Sequence, residues 1–134
     1  MSGRLLYLDS SAIVKLVVAE PESTALFALL EKWPERISSS LARVEVSRAL
    51  RRATLAGGAV ERGEQVLSRL GLLRMDDQIL AHAARMAPPV LRTLDAIHLA
   101  TALSVEGDLA ALVTYDNRLA DAASSVRVTV WAPA

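Results

Sequence analysis

The sequence predicts a three-layer α/β sandwich, in which helices cover both faces of a central, mostly parallel sheet. The near-continuous apolar run 5–8 has the length of a strand and leaves no face for water, which is typical of a strand buried on both sides. Segments of strand length then alternate with helical segments, as in parallel sheets joined by right-handed crossovers. Apolar residues make up 52% of the chain and aromatic residues 4%, which favours helix-rich packing over a β-sandwich.

Short breaks divide the first half of the chain into predicted strands and helices. Pro21 lies near the first turn of a helix that Pro34 ends, because proline is tolerated at a helix start but not in its interior. Ser40 is predicted to cap the next helix, and Gly57-Gly58 to end it. In chain order, the predicted elements are strand 5–8, helix 12–18, a helix ending at about 33, strand 36–39 and helix 41–56.

The second half of the chain continues the alternation. Asp76-Asp77 begins a helix that Pro88 and Pro89 end, and Thr93 is a suitable cap for the helix after it. In chain order, the predicted elements are helix 61–70, strand 72–75, a helix from 76 to about 86, helix 94–105, buried strand 110–114 and edge strand 126–131. No linker, low-complexity tract or internal repeat indicates a second domain, so we expect one domain over residues 1–134.

The composition limits the chemistry that the chain can perform. The absence of cysteine excludes disulfides, thiol catalysis and thiolate metal sites, so any metal must be held by oxygen or histidine ligands. Fifteen basic and fifteen acidic residues cancel, so any nucleic-acid surface must be local. No apolar stretch approaches the roughly 18 residues of a membrane span, and the N-terminus lacks signal-peptide features. We therefore expect a soluble, cytoplasmic protein with no membrane contact.

Four acids fall near the carboxyl edge of the predicted sheet: Asp9, Glu45, Asp95 and Asp116. Ligands of open α/β sheets collect at this edge. Each acid also has a simpler interpretation, because aspartates cap helices and favour helix N-termini, and Glu45 could be a solvated helical residue. Carboxylates gathered at one place repel one another and need a cation or protons. Oxygen ligands select Mg²⁺ or Mn²⁺, which indicates phosphoryl chemistry.

The segments around these acids resemble the four successive motifs of PIN domains, and most closely those of the VapC toxin ribonucleases of bacterial toxin–antitoxin modules. The segments are LYLDSSAIVKL, ARVEVSRAL, LRTLDAIHLATAL and LVTYDNRLADAA. The resemblance covers nearly the whole chain and implies a PIN-like α/β/α sandwich. It makes the four acids the catalytic, metal-binding residues, with Ser11 and Thr114 as hydroxyls that support them.

The resemblance further implies an endoribonuclease that depends on Mg²⁺ or Mn²⁺, cuts structured RNA such as a tRNA or ribosomal RNA loop, and inhibits translation. It also implies a VapB-type antitoxin and a homodimer; the leucine-rich segments 25–30 and 66–73 are candidate partner surfaces. Asn117 follows Asp116 where a fifth acid could stand, so one or two ions remain possible. A catalytically silent PIN-fold module that binds RNA or a partner is the alternative, and a receiver-type phosphorylation domain ranks well below the nuclease.

Basic residues near the acids invite two interpretations. Arg48 and Arg52 lie on the same side of their predicted helix as Glu45, while Arg92 and Arg118 flank the third and fourth acids. All four could bind RNA phosphates, or they could form a solvated face and pair with acids of the same domain. For His98, one turn beyond Asp95, we favour a packed helix position over a general base or a metal ligand, since metal-activated water needs no histidine base.

Overall fold

Five parallel strands form one sheet in the order β3-β2-β1-β4-β5 in a computed structural model that describes residues 3–53 and 57–134. The strands are β1 (Leu5–Leu8), β2 (Arg36–Ser39), β3 (Gly71–Leu73), β4 (Leu109–Val113) and β5 (Val130–Trp131). The apolar run with which the chain begins is therefore the central strand, as predicted. All neighbouring strands pair in parallel, which confirms the predicted fold class.

Seven helices connect and cover the strands within the described residues. They are α1 (Ser10–Lys15), α2 (Ser23–Lys32), α3 (Ala42–Arg52), α4 (Ala59–Ser68), α5 (Asp77–Ala84), α6 (Thr93–Leu103) and α7 (Asn117–Ser125). None of the helices in the described ranges has the length and apolarity that crossing a bilayer requires.

The central strand divides the interior into two cores, because successive side chains of a strand point to opposite faces. Leu6 and Leu8 pack with buried residues of α1 to α4 on one face. Tyr7 packs with Leu99 of α6 and Leu119 of α7 on the other face. This arrangement is the three-layer α/β/α sandwich that the alternating pattern predicts.

Strand pairing also decides which residues meet at the carboxyl edge of the sheet. β1 and β4 are parallel neighbours, and Leu8 is in register with Val113. The next residues along the two strands, Asp9 and Thr114, therefore leave the sheet side by side, although 105 positions separate them in sequence.

The predicted edge strand 126–131 is wrong over residues 126–129. α7 continues to Ser125, and the N–H groups of Val126 and Val128 both donate to the carbonyl of Ala123. Arg127 adopts a left-handed backbone with φ of 65°, which is common directly after a helix end. The alternating valines thus belong to a helix terminus and a loop before β5 begins at Val130.

Two predicted helix caps are also corrected. Ser40 does not cap α3, since it is the Ser39 hydroxyl that accepts a hydrogen bond from the N–H of Leu41. Thr93 is the first residue of α6, and Arg92 takes the cap position with an extended backbone. The predicted end of the helix 41–56 falls on residues 54–56, which lie outside the described residues; α3 ends at Arg52.

Candidate active site

The four predicted acids line one pocket of about 260 Å³ at the carboxyl edge of the sheet. Asp9 follows β1 and Asp116 lies beyond the end of β4, whereas Glu45 and Asp95 lie in the first turns of α3 and α6. Asp9 and Asp116 also cap α1 and α7 with their side chains. Capping a helix and belonging to the acid pocket are therefore not alternatives for these two residues, because each does both.

Asp9 is held entirely by uncharged donors. Its Oδ1 accepts from the hydroxyl of Ser11 at 2.7 Å and from the N–H of Ala12 at 3.0 Å, and its Oδ2 accepts from the hydroxyl of Thr114 at 2.5 Å. Only 4% of Asp9 is exposed, and this burial raises its pKa, although the three hydrogen bonds oppose the shift. Among the described residues none forms a salt bridge with Asp9, so Asp9 is a buried carboxyl group whose orientation is fixed by uncharged donors.

Both predicted supporting hydroxyls make further bonds at the same place. Ser11 accepts a hydrogen bond from the N–H of Tyr115 at 3.0 Å, and Thr114 accepts one from the N–H of Asp116 at 3.0 Å. Each hydroxyl therefore bridges the Asp9 carboxylate and the backbone of the segment that carries the fourth acid.

Glu45 is held by His98 and Ser10. Its Oε1 lies 2.6 Å from the Nε2 of His98 and accepts from the hydroxyl of Ser10 at 2.5 Å. Burial favours the neutral form of Glu45, but the hydrogen bonds from His98 and Ser10, together with the electrostatic effect of His98 and Arg92, outweigh it and leave the pKa of Glu45 below its ordinary value. His98 in turn lies 2.7 Å from the hydroxyl of Tyr7, with the two rings packed edge to face.

His98 is a site residue that sequence reasoning underestimated. The predicted packed position is correct, since only 2% of the residue is exposed. The prediction did not include its contact with Glu45, 53 positions away. One signal was present in the sequence: residues three apart share a helix face, so His98 had to lie on the face that carries Asp95.

Arg92 joins the remaining two acids. Its Nε donates to Oδ2 of Asp95 at 2.9 Å, and its Nη2 donates to Oδ2 of Asp116. Burial and the charge of Asp116 raise the pKa of Asp95, against the opposing effect of Arg92. Of the two interpretations open for Arg92, pairing with acids of its own domain is the one that the structure shows.

The donors around the pocket fit a hard divalent cation, although they are not yet arranged as its ligands. Within residues 3–53 and 57–134, no three histidine, aspartate or glutamate side chains are gathered closely enough to hold an ion together. The guanidinium of Arg92 occupies two of the acids, which shows that this part of the pocket accommodates a cation. Carboxylate and hydroxyl oxygens are the donors that Mg²⁺ and Mn²⁺ prefer.

The other predicted arginines lie in two different places. Arg48 and Arg52 line a hollow of about 360 Å³ that shares Ser10, Ser11 and Glu45 with the acid pocket. Arg118 lines a separate hollow on the side of α7, beside Val90 and Asp121. The first two arginines are therefore continuous with the acid pocket, whereas Arg118 reaches it through its backbone N–H, which donates to Asp116 at 2.9 Å.

Solved structures with the same fold include several toxin proteins. One is described as a toxin–antitoxin complex from Klebsiella pneumoniae, with a TM-score of 0.72, 21% identity, and coverage of 96% of this chain and 98% of that one. Another is VapC20 of Mycobacterium tuberculosis, described as a sarcin–ricin loop cleaving toxin, with a TM-score of 0.73, 14% identity, and coverage of 92% and 96%. At these identities the likeness concerns the fold.

Comparison with related sequences identifies the family to which the chain belongs. The PIN domain matches residues 6–124 of the chain. Ribonuclease VapC46 of Mycobacterium tuberculosis is 51% identical over 128 residues, which cover 96% of this chain and 97% of the relative. Ribonuclease VapC35 of the same species is 44% identical over 133 residues, with the same coverage. The chain therefore belongs to the PIN-domain family and, within it, to the VapC ribonuclease toxins of toxin–antitoxin systems.

Proposed function

We propose that this protein is a divalent-metal-dependent endoribonuclease that hydrolyses phosphodiester bonds in structured RNA and thereby inhibits translation. The observation that carries the proposal is the convergence of Asp9, Glu45, Asp95 and Asp116, from four separate parts of the chain, on one pocket. Four carboxylates in one pocket are unfavourable unless a cation or protons accompany them.

The four acids would hold one or two Mg²⁺ or Mn²⁺ ions. Such ions supply a water activated for in-line attack on phosphorus and stabilise the charge on the leaving oxygen. Asp9 and Glu45 contribute carboxylate oxygens that hydrogen bonds have already oriented. Arg92 must release Asp95 and Asp116 before these acids can bind a metal, and the freed guanidinium can then donate to an RNA phosphate.

RNA would approach along α3. Arg48 and Arg52 are exposed beside the acid pocket, where their guanidinium groups can pair with RNA phosphates that lead away from it along α3. Arg118 would contact RNA farther from the pocket. A tRNA or ribosomal RNA loop is the substrate class that we favour, because loops present unstacked nucleotides to a recessed site. The solved neighbour VapC20, a sarcin–ricin loop cleaving toxin, supports a loop substrate.

A VapB-type antitoxin is the proposed neutralising partner, and the active form is proposed to be a homodimer in the cytoplasm. The descriptions of two solved neighbours, as a toxin–antitoxin complex and as VapBC2 of Rickettsia felis, support the antitoxin. On the predicted partner surface 25–30, Leu26 and Leu30 pack into the core, but Phe27 is 50% exposed and open to a partner. An antitoxin arginine or lysine placed among the four acids would substitute for the metal ion.

Cleavage of total cellular RNA by the purified protein tests the proposal. We expect discrete fragments with Mg²⁺ or Mn²⁺ and none with chelator. Asp9→Asn and Asp95→Asn should lower the rate by more than the roughly 10- to 100-fold that the loss of an outer partner of a metal ligand costs. Asp108→Asn, an exposed acid directly before β4, at the end of that strand opposite the acid pocket, is the matched control and should cleave like the wild type. Thermal unfolding verifies that each variant is folded.

Two results would contradict the proposal that the protein is a metal-dependent nuclease. Cleavage that survives chelation or the loss of Asp9 and Asp95 would remove these acids from the chemistry. Folded wild-type protein, freed of antitoxin, that binds RNA or metal without cutting any RNA would favour the catalytically silent binding module.

A further inference from the structure

We propose that His98, itself oriented by Tyr7, is a positioning residue that presents the carboxylate of Glu45 to the metal ion. The inference rests on the proposed function, because it assigns a role toward the same metal site. It concerns a chain of buried side chains that joins three elements: Tyr7 on β1, His98 on α6 and Glu45 on α3.

The geometry uses both nitrogens of the imidazole ring. Nδ1 lies 2.7 Å from the hydroxyl oxygen of Tyr7, and Nε2 lies 2.6 Å from Oε1 of Glu45. Tyr7 is fully buried, and 2% of His98 is exposed. The ring is therefore fixed at two points, and its position relative to β1 is determined by the core and not by solvent.

The carboxylate of Glu45 determines which nitrogen of His98 carries the proton between them. The ionised carboxylate of Glu45 can only accept hydrogen bonds, so the proton on the facing nitrogen must be on Nε2. When the ring carries only that proton, Nδ1 is its acceptor, and the hydroxyl of Tyr7, 2.7 Å away, is placed to donate to it. Tyr7 thus selects the tautomer of His98 that can donate to Glu45.

The hydrogen bonds to Glu45 also distinguish its two carboxylate oxygens. His98 and Ser10 both donate to Oε1. This convergence keeps the half-buried carboxylate against the pocket wall and leaves Oε2 as the oxygen available to a cation. Histidine–carboxylate pairs of this kind orient metal ligands, and the loss of one outer partner typically costs 10- to 100-fold in metal affinity or activity.

Mn²⁺ binding to the RNA-free protein, measured by calorimetry, tests the inference without relying on activity. We expect His98→Phe, which keeps a ring but no nitrogen, to weaken Mn²⁺ affinity by about 10- to 100-fold. His98→Gln should recover part of the loss, because its amide N–H₂ can donate to Glu45. Tyr7→Phe should weaken binding less than His98→Phe, since His98 remains but its tautomer is no longer fixed.

Tyr115→Phe is the matched control for Tyr7→Phe. It removes a tyrosine hydroxyl that donates to the carbonyl of Pro133 at 2.7 Å, away from Glu45, and should leave Mn²⁺ affinity unchanged. In a Glu45→Gln background Tyr7→Phe should add no further loss, since the two residues act through one ligand. Wild-type Mn²⁺ affinity in folded His98→Phe would overturn the inference; if that variant does not fold, wild-type affinity in Tyr7→Phe would overturn it.

Glu45→Gln separates this inference from the proposed function. If Glu45→Gln weakens Mn²⁺ binding while His98→Phe and Tyr7→Phe do not, the metal site stands and the positioning role is wrong. If Glu45→Gln binds Mn²⁺ like the wild type, Glu45 is not a ligand, and the proposed site itself needs revision.

Discussion

The acid pocket has two halves that hold their carboxylates in different ways. Asp9 and Glu45 are held by hydroxyl groups, a backbone N–H and an imidazole. Asp95 and Asp116 are joined by the guanidinium of Arg92, whose side chain is 53% exposed. Uncharged donors orient a carboxylate and leave its charge in place, whereas an arginine orients and neutralises it at once.

This difference indicates how the pocket would receive a cation. The Asp9 half offers carboxylate oxygens that hydrogen bonds have already oriented. The Asp95 half must exchange one cation for another, and the exposed side chain of Arg92 can move into solvent when it does. The two halves should therefore respond differently when their supporting residues are replaced.

The largest effect should follow from removing an uncharged donor in the buried half. Thr114→Val takes away the hydroxyl that donates to Asp9 and accepts from the N–H of Asp116. We expect the free energy of unfolding of the metal-free protein to fall by about 1–3 kcal/mol, because buried polar groups lose their partners. Urea denaturation measures this change.

Thr129→Val is the control, since it makes the same replacement at an exposed residue before β5. Its effect should stay within about 0.5 kcal/mol. Equal stability of the two variants would show that the orientation of Asp9 does not depend on Thr114.

A smaller effect should follow from removing Arg92 in the other half of the pocket, and this effect is a gain in metal affinity. Arg92→Ala frees Asp95 and Asp116 and should tighten Mg²⁺ binding by about 2- to 10-fold, as expected from two ion pairs that solvent partly screens. Calorimetric titration with Mg²⁺ measures the affinity. Arg118→Ala is the control, because Arg118 contacts Asp116 through its backbone N–H. Weaker Mg²⁺ binding in Arg92→Ala would mean that Arg92 assembles the site and does not compete for it.

The smallest effects should come from the arginines outside the acid pocket. Arg48→Ala and Arg52→Ala should each weaken RNA binding modestly. Each should also make the slope of log affinity against log salt shallower by about 1, the contribution of one phosphate contact. Fluorescence anisotropy of an RNA hairpin with the Asp9→Asn protein measures both quantities without cleavage. Arg85→Ala, an exposed arginine at the end of α5, should change neither. If the salt slope is unchanged in Arg48→Ala and Arg52→Ala, these arginines do not bind RNA phosphates and only form a solvated face of α3.

The sequence was a good guide where one local pattern decides the outcome. The apolar run 5–8 predicted β1 with its observed bounds, and residues 36–39 did the same for β2. Prediction failed where two local patterns compete. The alternating valines of 126–131 resemble a strand, but the terminal turn of α7 satisfies the N–H groups of Val126 and Val128 first.

The sequence by itself determined which acids belong together, because four motifs in a fixed order carry them and strands of a parallel sheet end at one edge. Only the tertiary structure decided what each acid touches. The register of β1 on β4 brings Thr114 to Asp9, and the placement of α3 and α6 beside the same edge of the sheet brings His98 to Glu45. The first of these contacts joins residues that are 105 positions apart in sequence, and the second joins residues that are 53 positions apart. Such contacts depend on strand register and helix packing, which no local pattern of side chains encodes.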